Sequence, residues 1–192
     1  MAMDAGHSVS GYVLAGGASR RMGTPKALLP FRGRTLVEHV AREVEKAAGT
    51  VTLIGRPELY GGLGFNAIPD ERPGDGPLGG VLTALALRKA EWSLVVACDL
   101  PRITAGFLGE LVEAAMRSPG AKCVVAKGER GVEPLCAVWH ARAIQDVRCA
   151  LESGLLKMKE VVELVGARTW PVADPLILSN VNAPEDWATV HE

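Results

Sequence analysis

Apolar and polar positions alternate in blocks along the chain, and each block reads as a strand or a helix. Residues 10–15 form an apolar run that predicts a first strand. Leu36, Val37, Val40, Ala41, Val44, Ala47 and Ala48 repeat at helical spacing. Thr35 and Glu38 match a capping box at the start of that helix, and Gly49 marks its end. Strands are predicted at 50–54 and 65–68, and a helix at 78–89 after Pro77. Ser93–Cys98 is an uninterrupted apolar run ending at Asp99, the pattern of a strand buried on both faces. A helix at 104–117 follows, then strands at 122–126 and 134–139, helices at 141–153 and 156–164, a strand at 168–172 and a terminal helix at 184–190. Strands alternating with helices predict an α/β sandwich with a mostly parallel sheet. In such sheets ligands bind beyond the carboxyl ends of the strands. The stretches after residue 14 and after residue 98 are therefore expected at one edge.

Composition narrows the class. The 192 residues suffice for one domain with a full core, and 48% hydrophobic with 22% charged residues is ordinary for a globular protein. A net charge of −1 argues against a general nucleic-acid binder. Cys98, Cys123, Cys136 and Cys149 form no CxxC pair and no zinc spacing, and two sit in apolar runs. Buried reduced thiols, no disulfides and a cytoplasmic location are expected. The first residues lack the basic-then-apolar order of a secretory signal, and no apolar run is long enough to span a bilayer.

The chemistry concentrates in Leu14–Lys26, LAGGASRRMGTPK. Gly16, Gly17 and Gly23 free the backbone to approach a ligand, and Arg20, Arg21 and Lys26 add cations suited to a polyphosphate. The familiar phosphate loops do not fit. A P-loop would need Gly-Lys-Ser/Thr, but Gly23 is followed by Thr24-Pro25-Lys26. The dinucleotide fingerprint fails counted from Gly16 or from Gly17. A solvated surface loop is the bland alternative, and the preceding strand and spaced cations weigh against it.

The loop resembles the nucleotidyltransferase signature L-A-[AG]-G-x-[GS]-x-R-M-G-x-x-K, met at Leu14, Ala15, Gly16, Gly17, Ser19, Arg21, Met22, Gly23 and Lys26. The Gly16-Gly17 pair is similar to the molybdenum cofactor guanylyltransferase branch, whereas cytidylyltransferase relatives usually carry Ala-Gly. Cys98-Asp99-Leu100-Pro101 resembles the family's metal-binding D-x-P. Asp70 ahead of Gly76-Pro77-Leu78 resembles its acidic residue before G-P-L-x-G. Asn180-Val181-Asn182-Ala183-Pro184-Glu185-Asp186 resembles N-x-N-T-P-E-D, with Ala183 replacing Thr. Turn and capping chemistry alone would also explain Asp99, the Gly- and Pro-rich 70–80 stretch and Pro184.

The resemblance implies a three-layer α/β/α sandwich with a Rossmann-like, mostly parallel sheet of the nucleotide-diphospho-sugar transferase type. It implies a single nucleotidyltransferase domain over 1–192, with 1–8 expected to be a disordered N-terminal extension. By resemblance, the backbone of Leu14, Ala15, Gly16 and Gly17 contacts base and ribose. Arg21 and Lys26 hold the triphosphate, and Asp99 binds Mg²⁺, the hard-oxygen-seeking ion that neutralises phosphate charge. Asp70 contacts guanine or ribose, and Asn180 and Asn182 contact the pterin. GTP and molybdopterin are the implied substrates, with transient contacts to other molybdenum cofactor biosynthesis proteins and acceptor apoenzymes, and no nucleic acid or membrane partner. Two alternatives stand beside this reading: a cytidylyltransferase of the same fold using CTP, and a non-catalytic nucleotide-binding module. Glu133-Pro134-Leu135 is similar to a motif of the family's second half, without assigned chemistry. His39 is expected at a surface or boundary.

Overall fold

A computed structural model describes residues 8–16 and 25–181. Seven strands form one sheet: β1 (Val9–Leu14), β4 (Thr52–Gly55), β5 (Asn66–Pro69), β6 (Trp92–Ala97), β7 (Cys123–Gly128), β8 (Gly131–His140) and β9 (Arg168–Pro171), in the order β5-β4-β1-β6-β8-β7-β9. β2 (Pro30–Phe31) and β3 (Arg34–Thr35) make a separate small hairpin. All neighbours in the large sheet run parallel except β8, which is antiparallel to both β6 and β7. The expected mostly parallel sheet is therefore borne out.

Side-chain alternation along the central strands divides the core into two layers. Val9 and Val13 of β1, Leu94 and Val96 of β6, and Cys136 and Val138 of β8 face α1 (Leu36–Ala48) and α4 (Ala105–Met116). Tyr12 and Leu14, Val95, and Ala137 and Trp139 face α3 (Pro77–Leu87), α5 (Ile144–Glu152) and α6 (Met158–Leu164) on the other side. Every residue of β1 and of β6 is buried, which explains why both read as continuous rather than alternating apolar runs.

The capping box forms as expected. The Thr35 hydroxyl accepts from the Glu38 N–H, and the Glu38 carboxylate accepts from the Thr35 N–H at 2.8 Å. Gly49 closes α1 in the left-handed conformation. Helix α3 needs glycine for a different reason. A Cβ on Gly79 would lie 2.7 Å from the Arg72 carbonyl oxygen, so a side chain there would push the 70–76 loop off the helix.

Several boundaries differ from the sequence reading. The predicted helix at 141–153 is a 3₁₀ turn, Ala141–Ala143, followed by α5, and α6 starts two residues later than its apolar pattern suggests. Strand β8 starts three residues earlier than predicted because the β7–β8 pairing jumps from Val125–Ala137 to Ala126–Glu133. Pro134 falls inside that irregularity, where the missing N–H breaks no ladder bond. The β2–β3 hairpin and the short helix α2 (Pro57–Tyr60) carry no periodic signal and were not expected. The hairpin turns at Arg32-Gly33, both at positive φ, as a tight two-residue turn requires. The predicted terminal helix 184–190 and nearly all of the 1–8 extension lie outside the described residues.

Candidate active site

The topology brings two strand ends together at one edge of the sheet. β1 and β6 pair in register from Val9–Trp92 to Leu14–Ala97. Pairing continues past both strands, with the Cys98 N–H donating to the Leu14 carbonyl at 3.1 Å. Gly16 and Asp99 therefore leave the sheet side by side. The chain returns after residue 25 in a short 3₁₀ turn that starts at Lys26. There Lys26 Nζ donates to Asp99 Oδ2 at 3.0 Å, with side chains 16% and 22% exposed. Two of the residues assigned to phosphate and metal chemistry, 73 positions apart, are thus in direct contact.

The backbone at the start of the loop is held firmly. Ala15 N–H donates to the Ile54 carbonyl at 2.8 Å, and the buried Tyr60 hydroxyl donates to the Ala15 carbonyl at 2.6 Å. Burial pushes the Tyr60 hydroxyl up to about 12, so it stays a donor. The Ala15 amide is thus spent inside the fold, and Leu14 sits in the ladder with its side chain in the core. These two residues fix where the loop begins. Gly17, Arg21 and the rest of 17–24 lie outside the described residues.

Asp70 is half-buried at the end of β5. Its Oδ1 accepts from the Arg72 N–H at 2.9 Å and lies 3.2 Å from the Thr83 hydroxyl, which itself accepts from the Glu71 N–H at 3.1 Å. One carboxylate oxygen thus organises the 70–76 loop against α3. Thr83, fully buried in an apolar helix, gave no sequence signal for this role.

The tail segment also reaches the site. Val181 N–H donates to the Asp99 carbonyl at 3.1 Å, which places Asn180 beside Asp99. Burial, with the nearby Asp99 charge adding to it, pushes the Glu133 carboxyl up. Glu133, named from the sequence without a function, is therefore part of this edge. Asn182 lies outside the described residues. His39, behind the edge, packs its ring edge-on to Phe31 at 4.8 Å, and burial pushes its imidazole down. That is a boundary position, as expected.

The cysteines follow the composition argument. All four are free, and Cys98, Cys123 and Cys136 are buried while Cys149 is exposed. Among the described residues no helix is long and apolar enough to cross a membrane.

A lysine–aspartate pair at the carboxyl edge of a mostly parallel sheet, where Gly16 also leaves the first strand, is the architecture of a nucleotidyltransferase. The family model described as MobA-like NTP transferase domain matches residues 11–167. The probable molybdenum cofactor guanylyltransferase of Opitutus terrae is 36% identical over 190 residues, covering 93% of each chain. The molybdenum cofactor guanylyltransferase of Cereibacter sphaeroides is 34% identical over 186 residues, also covering 93% of each. A crystal structure of molybdopterin-guanine dinucleotide biosynthesis protein A from Archaeoglobus fulgidus has the same fold, with a TM-score of 0.80 at 23% identity over 94% of this chain and 96% of that one. The chain belongs to the MobA-like NTP transferase family. The expected α/β/α fold and the nucleotidyltransferase class are both borne out. Enzymes of this family use a divalent metal with their nucleotide substrate.

Proposed function

We propose that the chain transfers GMP from GTP to the terminal phosphate of molybdopterin in the cytoplasm, acting as one domain over 1–192. An oxygen of the pterin phosphate forms a bond to the α-phosphorus of GTP. The bond from that phosphorus to the bridging oxygen of the β-phosphate breaks, and pyrophosphate leaves. The nucleophile is already anionic, so no general base is required. The work is to align two anions and offset their repulsion.

The observation that carries this reading is the Lys26–Asp99 pair at 3.0 Å at the carboxyl edge of the sheet. Lys26 suits the triphosphate and the developing charge on pyrophosphate, with Arg21 as a second cation. Asp99 suits Mg²⁺. No group of three or more His, Cys, Asp or Glu forms a metal cage among the described residues. One or two carboxylates completed by substrate phosphates is the arrangement Mg²⁺ normally takes, so the residues fit the ion. When bound, Mg²⁺ would neutralise charge on the phosphates. Gly16 and Gly17 approach the base and ribose, Asp70 contacts guanine or ribose, and Asn180 and Asn182 contact the pterin. The guanylyltransferase names of the relatives favour GTP over CTP. Other molybdenum cofactor biosynthesis proteins and acceptor apoenzymes are the proposed transient partners.

The test is pyrophosphate release with Mg²⁺ and molybdopterin, with GTP and CTP offered in parallel. Release with GTP alone supports the proposal. Release with CTP alone overturns the base assignment, and release with neither overturns the transfer reaction.

A further inference from the structure

Thr83 interrupts the apolar run of α3 with the one hydroxyl in Leu78–Leu85, and it is fully buried. Burying a hydroxyl costs free energy unless it is hydrogen-bonded, and here both its acceptor and its donor are used. Its oxygen accepts from the Glu71 N–H at 3.1 Å. Its single proton has two acceptors in reach, the Gly79 carbonyl at 3.0 Å and Asp70 Oδ1 at 3.2 Å. The Gly79 carbonyl already takes the helix amide four residues on, and a carboxylate is the stronger acceptor. The proton therefore belongs to Asp70. Asp70 in turn lies close to the start of the glycine-rich stretch. It follows β5 directly, and Pro69 pairs with Gly55 at the end of β4. Gly55 packs on the backbone at Gly16, where a Cβ would lie 3.1 Å from the Gly16 nitrogen. Asp70 Oδ1 is taken up by Thr83 and by the Arg72 N–H at 2.9 Å, whereas Oδ2 makes no hydrogen bond among the described residues. Two bonds to one oxygen fix the plane of the carboxylate and leave the other oxygen to accept from a ligand.

We propose that Thr83 is a positioning residue for nucleotide recognition, orienting the Asp70 carboxylate from inside α3 so that Oδ2 accepts from a donor of the nucleoside. The nucleoside role rests on the guanylyltransferase reading above; the orientation of Asp70 does not. Two parts of GTP carry such donors, the N1–H and N2 amino group of the base and the hydroxyls of the ribose. Thr83→Val keeps the branched shape but sets a methyl against the carboxylate. Thr83→Ala removes the hydroxyl without that methyl, and Thr83→Ser keeps the hydroxyl.

Two measurements on the full chain test this. The first needs no substrate: hydrogen exchange at the Arg72 amide, which bonds to Asp70 rather than to Thr83. Thr83→Val and Thr83→Ala should each speed that exchange about tenfold, the equivalent of one hydrogen bond to a charged group. Thr83→Ser should leave it near wild type. The second measurement is kinetic. Thr83→Ala should raise the KM for GTP about tenfold while leaving kcat and the KM for molybdopterin unchanged, and Thr83→Ser should keep the wild-type value. The preference for GTP over inosine triphosphate, which lacks the N2 amino group, should shrink in Thr83→Ala if Oδ2 reads the base. The preference for GTP over 2′-deoxy-GTP should shrink instead if it reads the ribose. Unchanged Arg72 exchange in both hydroxyl-free variants, or a Thr83→Ser variant that behaves like them, overturns the positioning of Asp70. Faster exchange with both preferences unchanged overturns its link to the nucleoside. A wild-type chain that releases no pyrophosphate with GTP, with the exchange pattern as expected, overturns the functional reading and leaves the positioning of Asp70 standing.

Discussion

Replacing Lys26 by methionine tests the centre of the site, because it keeps the length of the side chain and removes the charge. Two unit charges 3.0 Å apart attract by about 5 kcal/mol at an effective dielectric of 20. Most of that is offset by taking both groups partly out of water. With side chains 16% and 22% exposed, the pair lies between a surface bridge and a buried one, and a net coupling of about 1–2 kcal/mol is expected. In a chain of 192 residues this corresponds to a fall in Tm of roughly 3–6 °C for Lys26→Met or for Asp99→Asn. The assay is thermal unfolding of wild type, both single variants and the double variant. The double variant should unfold well above the sum of the two losses, because it strands neither partner. Coupling smaller than about 0.5 kcal/mol would mean that the contact carries no energy, and the electrostatic account of this edge would fail. Turnover provides a separate check: Lys26→Met should cut pyrophosphate release by about 10²–10³-fold, the loss expected on removing one charge-stabilising donor.

Tyr60→Phe removes the donor to the Ala15 carbonyl. It should destabilise the chain by about 1–3 kcal/mol in urea melts and raise the KM for GTP, since the loop loses its anchor. Burial holds the His39 imidazole below its ordinary value of 6.5, so the unfolded chain binds that proton more readily. Stability should therefore fall as pH drops below 6.5, and His39→Gln should flatten that slope in denaturant titrations between pH 7.5 and 5. In native protein at pH 8 a thiol reagent should label Cys149 first. Cys98, pushed up to about 12, and the buried Cys123 and Cys136 should react only after unfolding, as mass spectrometry of labelled peptides would show.

Much of the fold was legible because the signals were local. The Thr35–Glu38 capping box, the helical stripe of α1 and the unbroken run of β6 each depend on neighbours in sequence, and each formed as read. The antiparallel sense of β8 was not legible. Direction within a sheet depends on which strand it pairs with, and an apolar run has no polarity of its own. The short hairpin after Lys26 carries too few residues to show a period. At the site, Lys26 and Asp99 were visible as motif positions, but their contact was not, since it depends on two strand ends meeting. The residues that support them were least visible. Tyr60 and Thr83 act through hydrogen bonds to partners 45 and 13 positions away, and no composition or spacing marks such a bond.

The sheet order also has a consequence for how the chain is made. β1 precedes the other strands in this sequence and lies inside the sheet, and its two neighbours are complete once residue 97 has emerged. The far edge of β6 finds its partner only when residues 131–140 follow. During that interval the growing chain carries a largely apolar strand with an open row of backbone donors and acceptors, the kind of edge that recruits other chains. A ribosome stalled between these two points would hold the protein at its most aggregation-prone length, and chaperone capture should peak there.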